Sequence, residues 1–200
     1  MHVTLGGFVL FLHIGVAIIG FMIAGVLHAA LQAMPRAKTM AGVRPFAGLI
    51  HRLEPLLPIM ALALLGLGAW LIHLSEGEFH WKDGWITVAV ATLVIVEGLA
   101  GALLAPRTKK LVALIDQTPD GEMPASVLAA TTEPMIWDIA HIATLGFLGV
   151  VFLMAAKPSG AWSVVIVVVA VVLGVVLSRW QLAMIRSRSA VSAGTAAAAT

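Results

Sequence analysis

Residues 3–35 read VTLGGFVLFLHIGVAIIGFMIAGVLHAALQAMP, with no Asp, Glu, Lys or Arg among them. A helix needs about 20 apolar residues to cross a bilayer, and this stretch exceeds that. It lacks the two-residue alternation of a barrel strand. A helix satisfies its own backbone hydrogen bonds in lipid, so it is the expected form. There is no basic region before the apolar run, and the run is too long for a signal-peptide core. The stretch is therefore read as a retained membrane helix.

Four further runs share this character. Pro55–Leu74 carries no Asp, Glu, Lys or Arg, Gly84–Pro106 is broken mainly by Glu97, and Ile139–Ala156 and Pro158–Ser178 are uncharged. The expected fold is all-α, a polytopic membrane bundle of five transmembrane helices near residues 5–30, 53–74, 85–106, 136–156 and 160–182. These form one domain over residues 1–186. The loop 107–134 is expected to hold a helical extension through Thr108–Gln117, a turn at Thr118-Pro119-Asp120-Gly121 and a short helix at Ala125–Ala130. The Ser/Ala-rich stretch 187–200 reads as a disordered tail.

Composition agrees. Apolar residues make up 60% of the 200-residue chain and charged residues 11%, against roughly half and a quarter in soluble domains. Mean hydropathy is +1.03. A cytosolic enzyme, a nucleic-acid-binding domain and a disordered chain are all poor fits. The absence of Cys excludes disulfides, thiolate metal sites and cysteine nucleophiles.

The formal net charge is only +2, but its distribution is uneven. Arg36, Lys38, Arg44, Arg52, Arg107, Lys109, Lys110, Arg179, Arg186 and Arg188 fall on one side of the five spans, and Lys82 and Lys157 on the other. The positive-inside rule makes the first side cytoplasmic. The N-terminus is then outside and the C-terminus cytoplasmic. Trp70, Trp81, Trp85 and Trp162 fall near the outer boundary, and Trp137 and Trp180 near the inner one, as interfacial Trp does.

Ionisable groups within spans are costly in hydrocarbon and often mark sites. In the first span His13, Ala17, Gly20, Ala24 and His28 share one helical face. The two His lie about 22 Å apart along the axis. Small residues between them suit either a close helix contact or a flat cofactor with His at each end. His51 and His73 flank the second span. Pro58 denies the Glu54 carbonyl its usual amide partner. Glu97 lies about midway along the third span, where a lone carboxylate must be paired or protonated. Asp138 and His141 sit at i and i+3, so Asp138 could orient His141 by accepting its N–H, or pair with a basic residue. Counted from span midpoints, His13 lies about 7 Å outward, Glu97 about 3 Å inward and His141 about 7 Å inward. This suggests a chain His13–Glu97–His141, with His28, His51, Glu54 and Asp138 as an inner cluster. His28 and His51 match in depth as a ligand pair. No phosphate loop, nucleophile elbow or zinc-protease helix is present.

Leu12-His13-Ile14, followed by Gly15, Ala17 and Gly20, resembles the first helix of a widespread family of uncharacterised bacterial integral membrane proteins. More distantly, the chain is similar to the copper-resistance D membrane domain and to the small haem-binding protoporphyrinogen oxidase. The match covers roughly residues 8–29. The resemblance implies a His-bearing bundle in the bacterial plasma membrane, binding haem or a metal, with His13 in the ligand position. The long Lys- and Arg-bearing cytoplasmic features of that oxidase are not evident here.

These readings give three expectations. The first is redox chemistry with haem b or a metal on His13, His28, His51 and His141. The second is a proton- or metal-coupled transporter or permease subunit using His13, Glu97 and His141, with Asp138 and Glu54 in support. The third is an accessory membrane subunit. The expected partners are the lipid bilayer and a further membrane subunit or a second copy, with no nucleic acid.

Overall fold

The computed structural model describes residues 4–198, with side chains described through residue 187. It consists of helices α1 (Leu5–Ala33), α2 (Met40–Leu53), α3 (Leu56–Leu74), α4 (Gly84–Leu99), α5 (Ala105–Gln117), α6 (Ala125–Thr131), α7 (Pro134–Ala156) and α8 (Gly160–Ala198). Among the described residues there is no strand, only an isolated antiparallel bridge between Thr39 and Glu122. Five helical stretches are long and apolar enough to cross a membrane: Leu5–Arg36, Met40–Leu74, Gly84–Gln117, Ala125–Ala156 and Gly160–Ser187. The expected tail, residues 187–200, falls within α8 as far as Ala198, and its side chains beyond Ser187 lie outside the described residues.

Local sequence explains the element ends. Thr4 caps α1 by accepting from the Gly7 amide at 3.2 Å, and Thr39 caps α2 the same way from Gly42, as Ser and Thr commonly do. Between α2 and α3 the helix bends at Glu54 and Pro55. Pro58 has no N–H, and the Leu57 amide takes the Glu54 carbonyl at 3.2 Å instead. The carbonyl denied its usual partner is thus satisfied one residue earlier.

The first basic loop of the sequence reading is in fact helical. Met40, Val43, Ala47 and Ile50 are buried and recur at spacings of three and four, the period of a helix with one apolar face. Arg52 and His51 stay exposed. The α2 face packs with Leu27, Leu31, Met34, Leu111, Ile115, Val127 and Ile136 into the main core, at the end that carries the basic residues. Two strand-like bonds pin this end: Met40 N–H to the Gly121 carbonyl at 3.0 Å and Met123 N–H to the Lys38 carbonyl at 2.9 Å. Arg44 donates to Asp120 and, at 2.6 Å, to the Thr118 carbonyl.

The membrane half is packed differently. Large side chains such as Phe11, Met22, Leu62 and Val168 are exposed, which is expected where the surrounding medium is itself apolar. Burying such groups away from water contributes about 1.5–3 kcal/mol each, but away from lipid that gain disappears. Spans associate instead through close packing of small residues. A Cβ on Gly20 would sit 3.5 Å from the Met60 Cβ, and one on Gly146 would sit 3.3 Å from Val96. A Cβ on Gly174 would come within 3.0–3.1 Å of the His141–Ile142 backbone. Helix α7 is the most enclosed span, in contact with α1, α4 and α8.

Candidate functional site

The buried α7 turn from Trp137 to Thr144 carries the densest chemistry in the membrane half. Trp137 is 1% exposed and His141 3%. The Trp137 indole donates to the Thr131 carbonyl at 2.9 Å and stacks on the His141 ring, with centroids 5.7 Å apart and planes 20° apart. Trp137 is therefore a core residue, not the inner-boundary Trp that its position in sequence suggests. Trp180, assigned to the same boundary, is exposed.

His141 Nδ1 lies 2.8 Å from the Trp137 carbonyl. A carbonyl can only accept, so Nδ1 carries the proton and Nε2 keeps a lone pair in the neutral ring. Nε2 is buried and has no hydrogen-bond partner. The neighbouring ring is His28 of α1, edge to face with His141 at a centroid distance of 4.3 Å. His28 Nδ1 lies 3.3 Å from the Thr144 hydroxyl. That hydroxyl has the shorter contact, 2.9 Å, to the Ala140 carbonyl. Its single proton goes to the carbonyl, so its oxygen accepts from His28 Nδ1–H. His141 is thus held as its Nδ1–H tautomer with its Nε2 lone pair unpartnered, while His28 is held at Nδ1 by Thr144 and also hydrogen-bonds the Ala140 backbone.

Asp138 is not the group that orients His141. Its carboxylate accepts from the Ser178 hydroxyl at 2.6 Å and from Arg179 at 2.5 Å, both on α8. The basic-residue pairing weighed at the sequence level is the one formed. His13 faces α3, where its Cε1 lies 3.4 Å from the Cβ that Gly68 lacks, and its Nδ1 is buried without a partner. The small residues between His13 and His28 serve the α1–α3 contact, as Gly20 against Met60 shows. His51 and His73 are exposed, so His28 pairs with His141 and not with His51. Glu97 is half-buried on α4, with no hydrogen bond or ion pair among the described residues. Glu54 accepts from the buried Thr108 hydroxyl, at 2.8 and 2.9 Å to its two oxygens.

The expected chain His13–Glu97–His141 is therefore not assembled into a ligand set. Among the described residues no group of three or more His, Cys, Asp or Glu could hold a metal ion. A haem iron between two imidazoles holds each nitrogen near 2 Å, which keeps ring centroids roughly 6 Å apart or more. The His28 and His141 rings are closer than that and do not bracket a haem.

Sequence reasoning missed Thr144 and Trp137 as parts of this site. Both were detectable: Thr144 is i+3 and Trp137 i−4 from His141, so all three share one stripe of α7. Compared with protein families, with curated proteins and with solved structures, the chain matches none.

Proposed function

We propose that this multi-pass membrane protein handles a small cation at His28 and His141, taking up a first-row transition metal in transit across a bacterial plasma membrane. In this reading the basic end faces the cytoplasm by the positive-inside rule. The observation that carries the proposal is the buried His141 Nε2, unpartnered and next to the His28 imidazole. A buried acceptor without a donor costs about 1–3 kcal/mol, and a bound cation removes that cost. Imidazole suits Zn, Cu, Fe and Ni. Two neutral ligands make a weak, exchangeable site, which suits passage better than permanent storage. Structural zinc sites, by contrast, close with four ligands.

Zn²⁺ titration of the detergent-purified protein by calorimetry tests this. One site per chain is expected, absent in His141→Ala and weakened in His28→Ala. Zinc binding unchanged in both variants would refute it. The absorption spectrum of the same samples addresses the haem reading. A Soret band that survives both substitutions and is lost in His13→Ala would move the cofactor to His13.

A further inference from the structure

Glu54 sits in the bend between α2 and α3, and its carboxyl reaches across to α5. There, both of its oxygens meet the Thr108 hydroxyl, at 2.8 and 2.9 Å. The same hydroxyl oxygen lies 3.0 Å from the Ala105 carbonyl and 3.2 Å from the Leu104 carbonyl. Thr108 is 2% exposed, so water has little access to this oxygen.

The proton count decides what this contact is. A hydroxyl has one proton to donate. If Glu54 is a carboxylate, all four neighbours of the Thr108 oxygen are acceptors. A single donor then serves a half-buried anion, and the hydroxyl oxygen receives nothing. If Glu54 carries a proton, its O–H donates to the Thr108 oxygen and the Thr108 O–H continues to the Ala105 carbonyl. Two protons then run through the contact in one direction instead of one, and only the second Glu54 oxygen and the more distant Leu104 carbonyl face the hydroxyl oxygen without a proton between them. An anion with so few donors is expensive away from water. The surrounding charges do not reverse this. On α5 the nearby cation is Lys109, whose side chain is exposed. On α2 the groups before Glu54 are His51 and Arg52, also exposed. Arg107, next to Thr108 on α5, is paired with Glu133 at 3.1 Å.

We propose that Glu54 and Thr108 form a proton-binding site that clasps the α2–α3 bend to α5, with the Glu54 carboxyl holding a proton at neutral pH. Loss of that proton to water leaves a carboxylate facing a single hydroxyl, and the clasp loosens. The site is independent of the His28–His141 reading.

Infrared spectroscopy of the full chain in detergent at neutral pH tests this through the C=O band of protonated carboxyls. Glu54→Gln is expected to remove one such band, which Glu97→Gln leaves in place. Thr108→Val is expected to keep the Glu54 band but shift it, because its hydrogen-bond partner is gone. If Glu54→Gln removes only carboxylate bands, the proposal is overturned. If Glu54→Gln does not fold, Thr108→Val decides: no shift in any protonated-carboxyl band overturns the proposal as well.

Discussion

Trp137 and His141 are joined twice within one turn of α7. The Trp137 carbonyl accepts the His141 Nδ1–H at 2.8 Å, and the indole stacks on the imidazole. The first contact sets the tautomer and the second sets the ring plane. Trp137 is itself anchored by its N–H to Thr131. The orientation of His141 therefore depends on a packed aromatic core, not on a neighbouring carboxylate.

Trp137→Phe keeps most of the stack but leaves the Thr131 carbonyl without its donor. A buried group losing its partner costs about 1–3 kcal/mol. We expect a lower thermal midpoint in detergent, and zinc binding that weakens only modestly because the backbone bond to Nδ1 remains. A midpoint equal to that of the wild type would mean that Thr131 finds another donor.

Thr144→Val removes the hydroxyl that lies against His28 Nδ1. Loss of a hydrogen bond behind a ligating His typically weakens metal binding by about 10–100-fold. Calorimetry should report such a loss, and nitrogen NMR should show a change at His28 Nδ1. Unaltered zinc affinity would remove Thr144 from the site.

Asp138→Asn separates two roles that the sequence left open. Arg179 is 59% exposed, and ion pairs of this kind contribute about 0–1 kcal/mol. A small fall in stability is expected, with zinc affinity unchanged. A large loss of zinc affinity would restore Asp138 as the group that orients His141.

Two glycines set helix spacing and should resist substitution. A Cβ at Gly174 would meet the His141–Ile142 backbone at 3.0–3.1 Å, and one at Gly84 would run into the Gly160 backbone. Backbone atoms cannot swing aside, and overpacking costs about 1–3 kcal/mol. Both Ala variants should unfold at lower temperature. Only Gly174→Ala should also perturb His141, visible as reduced zinc binding.

Much of this architecture could be read directly. The five spans follow from uncharged runs, and the turn at residues 118–121 and the helix after it follow from Pro, Asp and Gly. Helix α2 was hidden because Arg36, Lys38, Arg44 and Arg52 look like loop, and Pro45 sits among them. Its apolar spacing at Met40, Val43, Ala47 and Ile50 was present all along. The site was legible as a list of residues but not as a set of pairs. Depth along a span follows from counting, and it placed His141 and Glu97 between membrane faces. Which helix neighbours which does not follow from counting, so His28 is matched in depth to His51, and Asp138 is left between His141 and a basic residue. The small-residue contacts that bring α7 against α4 and α8, with its packing on α1, decide those pairings.

Between α4 and α5 the helix passes through a five-residue π segment, Ala100–Leu104. An α-helix turns about 100° per residue, and a π segment accommodates an extra residue without ending the helix. Everything beyond it is thereby set at a different angle from the span before it. The segment acts as a phase shift on a continuous rod: it lets Val96 point at α7 while Thr108 points at Glu54. Deleting one residue between Ala100 and Leu104 would leave the rod straight and equally apolar. With the extra residue gone, Thr108 would keep its place; an α-helix that kept all five residues would instead carry Thr108 about 100° away, unfastening the clasp without touching either of its side chains.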